Sequence, residues 1–515
     1  MANDLPDYLQ AVQPVPKENR SAWYLNTAQT YASVMLWFVF WKGLAGAGGR
    51  LGGTLSAGIG VALVALLLAG LICHFLFYLV PGLLGMKTGL PLYVVGTSTY
   101  GARGGLLMPG FLMGLLQFGW IGVNAFAVSE LLYKCFGKWF ALPLVERAGK
   151  LEVPIPNLTH AILAAVFAAG VALVGLKGIK YVARFASFFP LIPLAVLVIL
   201  FVRTAGGVAE FTPAMLVEAG KKAAPADKAA AAQEPNKTEQ TEGQETADAP
   251  AVKPDGSTKP KDPMNAIEVV ICLCTVVAGF FATAGAAGAD LAMNNRTGKD
   301  VQLGGLTGIA LATLLAGGFA VLTVAGAYGG GMVPDKFQGN LNPLDLMNGG
   351  LLDPTTANTI MILLAISSFP GGCFSAYIAA TSFKTTMPKV NPLISVGLGT
   401  MVSIALAVTG LAGQLEKVFL VIGASFGPVC GAMAADYLLA GRKWAGPRAG
   451  FNPAGWISWV LGFVVGAVDF IPGAEGKVLC PPVAAFLVGF VLYYLLAKIG
   501  LESKTLEMPA AAETT

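Results

Sequence analysis

Residues 59–80 read IGVALVALLLAGLICHFLFYLV, a stretch whose one ionisable group is His74. A hydrocarbon core of ~30 Å is crossed by ~20 apolar helical residues, and in lipid a helix satisfies its own backbone polar groups. Runs of this kind recur along the chain. Twelve membrane-spanning helices are expected, at 27–48, 55–85, 105–135, 157–176, 181–203, 265–290, 303–328, 356–383, 391–412, 416–440, 454–471 and 480–499. The chain is thus expected to be an all-α integral membrane protein, multi-pass in the cell (inner or plasma) membrane.

Composition agrees. Charged residues make up only 12% of the 515, about half the share in a soluble domain, and the mean hydropathy is +0.68. The 65 glycines suit close helix packing in lipid. A formal net charge of +4 spread over many loops makes no patch for nucleic acid, so no such partner is expected. The seven cysteines lack metal-ligand spacing and read as small core residues. The first 22 residues are polar, with no apolar signal-peptide core. With the N-terminus in the cytoplasm, the short loops carry sixteen Lys and Arg inside against eight outside, and the C-terminus is also cytoplasmic.

Six regions follow: a cytoplasmic segment 1–26, five spans in 27–203, a linker 204–264, five spans in 265–440, two more in 441–499, and a tail 500–515. The linker is rich in Ala, Pro, Glu, Lys and Thr and poor in branched apolar residues. It is expected to be disordered, extracytoplasmic and a spacer. The first span of each half is glycine-rich: GLAGAGG at 43–49 and AGFFATAGAAGAD at 278–290. Matched Gly-interrupted spans point to an inverted-repeat transporter whose broken helices hold substrate and cation near the midplane. Tight packing is the structural alternative.

Four stretches carry a resemblance. They are GMKTGLPLYVVGTSTYGARGGLLMPGFLMGLLQFGWIGVNAF at 85–126, GLKGIKYVARFASFFPLIPL at 175–194, SFGPVCGAMAADYLLAGRKW at 425–444 and GFNPAGWISWVLGFVVG at 450–466. Together they resemble the nucleobase–cation symporter family (purine–cytosine permeases), with cytosine permeases nearest. QFGWIGV and GPVCGAMAADY are the most specific pieces. The resemblance implies a leucine-transporter-like core of two inverted five-helix repeats, two additional C-terminal helices, and alternating access. It also implies a nucleobase or related heterocycle moved with Na⁺ or H⁺, and no cofactor beyond the coupling ion.

Residue by residue, Trp120 matches the position that stacks on a flat substrate, although an interfacial Trp is an alternative. Asn124, one turn on, shares its face and can bond the ring edge; Gln117 is a further candidate. Phe281 falls where the family has a second aromatic, giving an expected Trp120–Phe281 sandwich, against an ordinary core role. In span eight, Ser367 and Ser368 stand at the family's cation-site hydroxyls, and Gly372 stands where the family has a substrate-binding Asn. His74, Glu130 and Asp469 have no evident partner in sequence and read as structural.

Lys42, behind VMLWFVFW, lies ~22 Å along span one at 1.5 Å per residue. It is expected at the glycine break, bonded to carbonyls and to Ser367 or Ser368, where an ammonium takes the place of a sodium ion and favours H⁺ over Na⁺ coupling. Snorkelling to the outer surface and a direct substrate contact are the alternatives. The function expected is import of a cytosine-like nucleobase or small heterocycle. Carriage of an amino acid or vitamin precursor on the same fold, and a transporter-like sensor, are the alternatives. No H-E-x-x-H, G-x-S-x-G or P-loop pattern supports an enzyme. Oligomeric state is not legible.

Overall fold

The computed structural model describes residues 5–25, 37–136, 158–178, 181–182, 188–189, 191–231, 262–335 and 338–508. Among the described residues the protein is all-helical, and eight helices are long and apolar enough to cross a membrane. Span two is Ile59–Thr88, span three Leu106–Phe136, span four Leu158–Leu176 and span six Ala266–Ala286. Span seven is Gly298–Gly329, span eight Pro354–Thr386, span ten Leu415–Leu439 and span twelve Pro481–Lys498. Three shorter apolar helices supply spans five (Leu191–Gly207), nine (Pro392–Val408) and eleven (Pro453–Gly466). Span one is described from Trp37 onward, so its expected start at 27 lies outside the described residues.

The spans form two blocks with separate cores. Spans three, four, eight and nine share a core of Phe118, Ile121, Ala164, Ala168, Val171, Cys373, Ala376 and Phe383, among others. Phe118 stacks on Phe383 at 5.6 Å and 9°, and its ring fills the place a Cβ at Gly399 would need. The other core joins spans one, two, six, seven, ten and twelve through Trp41, Leu66, Phe77, Phe280, Phe419 and Phe486. Members of each block stand at matching places in the two five-span halves, three with eight and four with nine. Glycine permits the tightest crossings: a Cβ on Gly285 would lie 2.5 Å from Phe77 Cβ, and one on Gly85 only 2.2 Å from the Ala289 carbonyl oxygen.

Both glycine stretches behave differently from expectation. GLAGAGG lies at the end of the described part of span one rather than within it. The helix runs from Trp37 to Leu44, with a π turn at Phe40–Leu44, and the glycines end it, with Gly48 and Gly49 at φ 81° and 55°. Span six is continuous to Ala286 and resumes as the short helix Gly288–Ala292. Its glycines serve packing, and its discontinuity sits at the end of the helix.

The expected linker also starts later. Pro213–Ala231 is a helix. Leu216 and Ala219, three apart, are buried, and Gly220 approaches Leu51. This short apolar stripe docks the segment before the polar composition takes over. The stretch 232–261 lies outside the described residues.

The N-terminal segment packs across one end of the bundle, here called the N-terminal face. Leu5 and Leu9 are buried, the Tyr8 hydroxyl donates to Ala102 O at 2.6 Å, and Arg20 donates to Met86 O at 2.6 Å. The same face holds a buried ionic cluster. Asp436, of the GPVCGAMAADY stretch, accepts from Arg448 at 2.8 Å and from Ser98 Oγ at 2.6 Å. The Tyr493 hydroxyl lies between Asp436 and Glu502, and Arg448 also donates to Glu502 at 2.7 Å. Burial alone would lower the Arg448 pKa, but the Asp436 charge brings it above the ordinary value. Arg448→Met leaves Asp436 buried without its cation. It is expected to cost about 3–5 kcal/mol, read as a drop in the unfolding temperature of the purified protein in detergent; an unchanged unfolding temperature would contradict the assignment.

Candidate functional site

Span three runs along the seam between the blocks. Phe118, Ile121 and Ala125 face its own block, while Trp120, Val123 and Ala127 belong to the other core. Met113, Gln117, Trp120 and Asn124 follow at helical spacing on the seam side. All four are buried.

The Trp120 indole N–H donates to Thr283 Oγ1 of span six at 3.0 Å. Its ring meets Phe419 of span ten, centroids 6.0 Å apart and planes tilted by 30°. Phe419 in turn meets Phe280 edge-on at 5.3 Å. Phe281 is fully buried and packs 5.5 Å from Phe280, with no direct ring contact to Trp120 among the described residues. Phe419 is the ring in direct contact with Trp120, and sequence spacing alone gave no signal for it because it comes from the other end of the chain.

Asn124 donates through Nδ2 to the Trp120 carbonyl at 2.8 Å. Its Oδ1 is buried with no hydrogen-bond partner among the described residues. An unsatisfied buried acceptor costs ~1–3 kcal/mol, which a ligand N–H would recover. Gln117 donates to Met113 Sδ at 3.2 Å, a weak bond that a better acceptor displaces.

Gly372 does not face the seam. A Cβ there would lie 2.9 Å from Val171 of span four, so on its Cα side this glycine packs inside the first block, and a side chain here would not reach the seam. Ser367 and Ser368 are buried at the kink of span eight, where both hydroxyls donate to Leu364 O, at 2.7 and 3.2 Å. Neither bonds Lys42.

Lys42 instead pairs with Glu130 of span three, with its ammonium 4.3 Å from the Phe126 ring centroid. Glu130 is therefore not a lone carboxylate. It also faces Lys134 at 3.6 Å, and Lys134 pairs with Asp345 in the Pro343–Leu346 helix between spans seven and eight. Asn342 Nδ2 donates to Asp345 at 3.1 Å. The one sequence signal was the Glu130/Lys134 spacing of four; the Lys42 contact is between different blocks. His160 Nε2 lies 3.0 Å from Ser129 Oγ beside this cluster. Of the other lone groups, His74 is buried against Tyr78 at 5.9 Å, and Asp469 accepts from Gly476 N in a loop.

The seam is open at one end. At the N-terminal face a cavity of about 560 Å³ reaches inward to Met113, between the N-terminal segment, the end of span six and span eight. Around Lys42, Glu130 and Lys134 the space is about 10 Å³, no more than one water. Trp120 lies about two helical turns, ~10 Å, beyond Met113 toward the closed end.

A family model for amino acid permeases matches residues 27–389. No curated protein sequence matches the chain. Among solved structures, an inward-facing conformation of Mhp1 aligns with a TM-score of 0.63 at 15% identity, covering 98% of this chain and 97% of that one. Mhp1, a nucleobase-cation-symport-1 family transporter, in a closed conformation with bromovinylhydantoin bound aligns at 0.58 and 16% identity, covering 95% and 96%. A substrate-bound, outward-open Na⁺-coupled sialic acid symporter aligns at 0.53 and 11%, covering 97% and 93%. At these identities the likeness is one of fold.

Trp120→Ala is expected to weaken binding of a flat solute by ~1–3 kcal/mol, and Asn124→Leu to change which ring edge is preferred. Equilibrium binding to the purified protein checks both. Wild-type affinity in both variants would remove the site from this face of span three.

Proposed function

The chain belongs to the amino acid permease family and is a secondary transporter, and we propose that its solute is a cytosine-like nucleobase or similar flat heterocycle, moved with protons. The observation that carries the solute class is the pairing of the Trp120 indole face with the unsatisfied Asn124 Oδ1 one turn away. A planar ring stacks on the first and donates an N–H to the second.

The family match favours a second reading, an amino acid. A zwitterion needs free backbone N–H groups for its carboxylate, as broken helices provide. Span six is helical without interruption through Phe281 to Ala286, so its amides there are already bonded. This supports the neutral ring over the zwitterion. The described basic residues of the N-terminal face, among them Lys87, Arg103, Lys299 and Lys384, support placing that face in the cytoplasm, so that the open cavity faces inward.

For coupling, the proposal moves from Lys42 alone to the Lys42–Glu130 pair. Lys134, Asp345 and His160 are the other titratable groups beside it. A proton on Glu130 removes the charge that holds Lys42 to span three and lets the blocks separate at that end. The sodium alternative rests on the Ser367 and Ser368 hydroxyls.

Counterflow into proteoliposomes with labelled cytosine, adenine, uracil, hydantoin and a panel of amino acids tests the solute; exchange of amino acids alone would replace the first reading by the second. Concentrative uptake is expected to follow an imposed pH gradient and to persist when Na⁺ is replaced by choline. Lys42→Ala and Glu130→Gln are each expected to abolish accumulation while retaining part of the exchange. Strict Na⁺ dependence, or full accumulation by either variant, would sink the proton reading.

A further inference from the structure

Three carboxylates sit deep in this structure, and two of them have their cations. Asp436 has Arg448, and Glu130 has Lys42 and Lys134. Asp290 has none: among the described residues no Lys, Arg or His pairs with it, and its side chain accepts only from backbone N–H groups, Leu92 N at 3.4 Å among them. It stands in the short helix Gly288–Ala292, just past the end of span six. It is also the only charged side chain among the described residues lining the 560 Å³ cavity. Tyr93, Tyr377, Thr381 and Ser382 line the cavity with it, and both tyrosines are close enough to interact electrostatically with its carboxylate.

A carboxylate between low-dielectric walls is costly unless something compensates it, and its field concentrates cations and N–H donors in the cavity. Among the described lining residues, the rings offer faces and hydroxyls and none carries a positive charge. A solute bearing an amino or ammonium group would donate a charge-assisted bond to Asp290 and lay its ring or stem against Tyr93 or Tyr377. A solute with a carbonyl at the same edge would face like against like. We propose that Asp290, Tyr93 and Tyr377 form a second subsite in the vestibule, distinct from the Trp120 face, that selects amino-bearing over oxo-bearing solutes between the deep site and the N-terminal face. The proposal rests on the transport reading for its purpose, but its test does not need turnover.

Thr381→Cys places a thiol in the cavity wall. In the full-length protein, its rate of modification by a small methanethiosulfonate is measured with and without solute, using the parent protein as background. Cytosine and adenine are expected to protect the thiol, while uracil and hypoxanthine do not. Adding Asp290→Asn is expected to raise the half-protecting concentration of cytosine about tenfold, the loss of one charge-assisted bond; Asp290→Glu is expected to recover part of it. Equal protection by amino and oxo bases, or protection unchanged by Asp290→Asn with the Asp290→Glu protein folded, overturns the subsite. Protection by sodium chloride but not choline chloride assigns the carboxylate to an inorganic cation and overturns it equally. Failure of the transport reading looks different: none of the bases exchanges in counterflow, whatever the labelling pattern.

Discussion

One helix carries two packing surfaces, and the architecture turns on that. Span three gives Phe118, Ile121 and Ala125 to one hydrophobic core and Trp120, Val123 and Ala127 to the other. A close-packed core moves as a unit because its contacts are lost within a fraction of an ångström. The soft surface is the seam, where span three meets spans one, six and ten. What crosses it is mostly specific: the Trp120–Thr283 hydrogen bond, the Trp120–Phe419 ring contact and the Lys42–Glu130 pair. The first block is joined internally by apolar area. It is joined to the other both by apolar contacts of span three and span eight, Val123, Ala127 and Leu364 among them, and by these few directional ones.

Charge is distributed along that seam unevenly. At the closed end, Lys42, Glu130, Lys134 and Asp345 alternate in sign, so the packed arrangement neutralises itself. At the open end, a single carboxylate faces a cavity. Ion pairs this near a low-dielectric interior are stronger than surface pairs but costly to leave half-made. The closed end therefore favours a complete network over a half-made one. Away from the seam, the Asp436–Arg448 cluster ties spans ten and twelve and the tail to residues 98–99 with buried bonds. That pins the N-terminal end of the second block.

The spans themselves were legible because hydrophobic length is a one-dimensional signal: span three expected at 105–135 is Leu106–Phe136, and span ten expected at 416–440 is Leu415–Leu439. Glycine was read less well. Composition cannot separate a glycine that breaks a helix from one that admits a neighbour, and Gly285 against Phe77 is of the second kind. Trp120 and Asn124 were singled out by the resemblance, and helical spacing placed them with Gln117 on one face, which the structure buries. Phe419, Thr283 and the Lys42–Glu130 pair were not, since each joins segments many residues apart. Gly372 shows the limit of carrying a role by position alone: its helix turns that residue toward Val171.

The energetic demand of opening follows from the same contacts. Separating span three from span six gives up the Trp120–Thr283 bond, worth ~0.5–1.5 kcal/mol net if water replaces it and more if the groups stay dry. It also gives up the Trp120–Phe419 contact, another ~0.5–1.5 kcal/mol beyond buried area. The proposed flat solute, entering between those rings, would restore both kinds of interaction, a face for the indole and a donor for Asn124 Oδ1. Binding at that position therefore offsets the terms that otherwise hold the seam shut at depth. The ion cluster at the far end is untouched by the solute and needs a separate event. On the proposed reading, solute and ion would act on different contacts of one interface, which is the condition for either to shift the other's equilibrium.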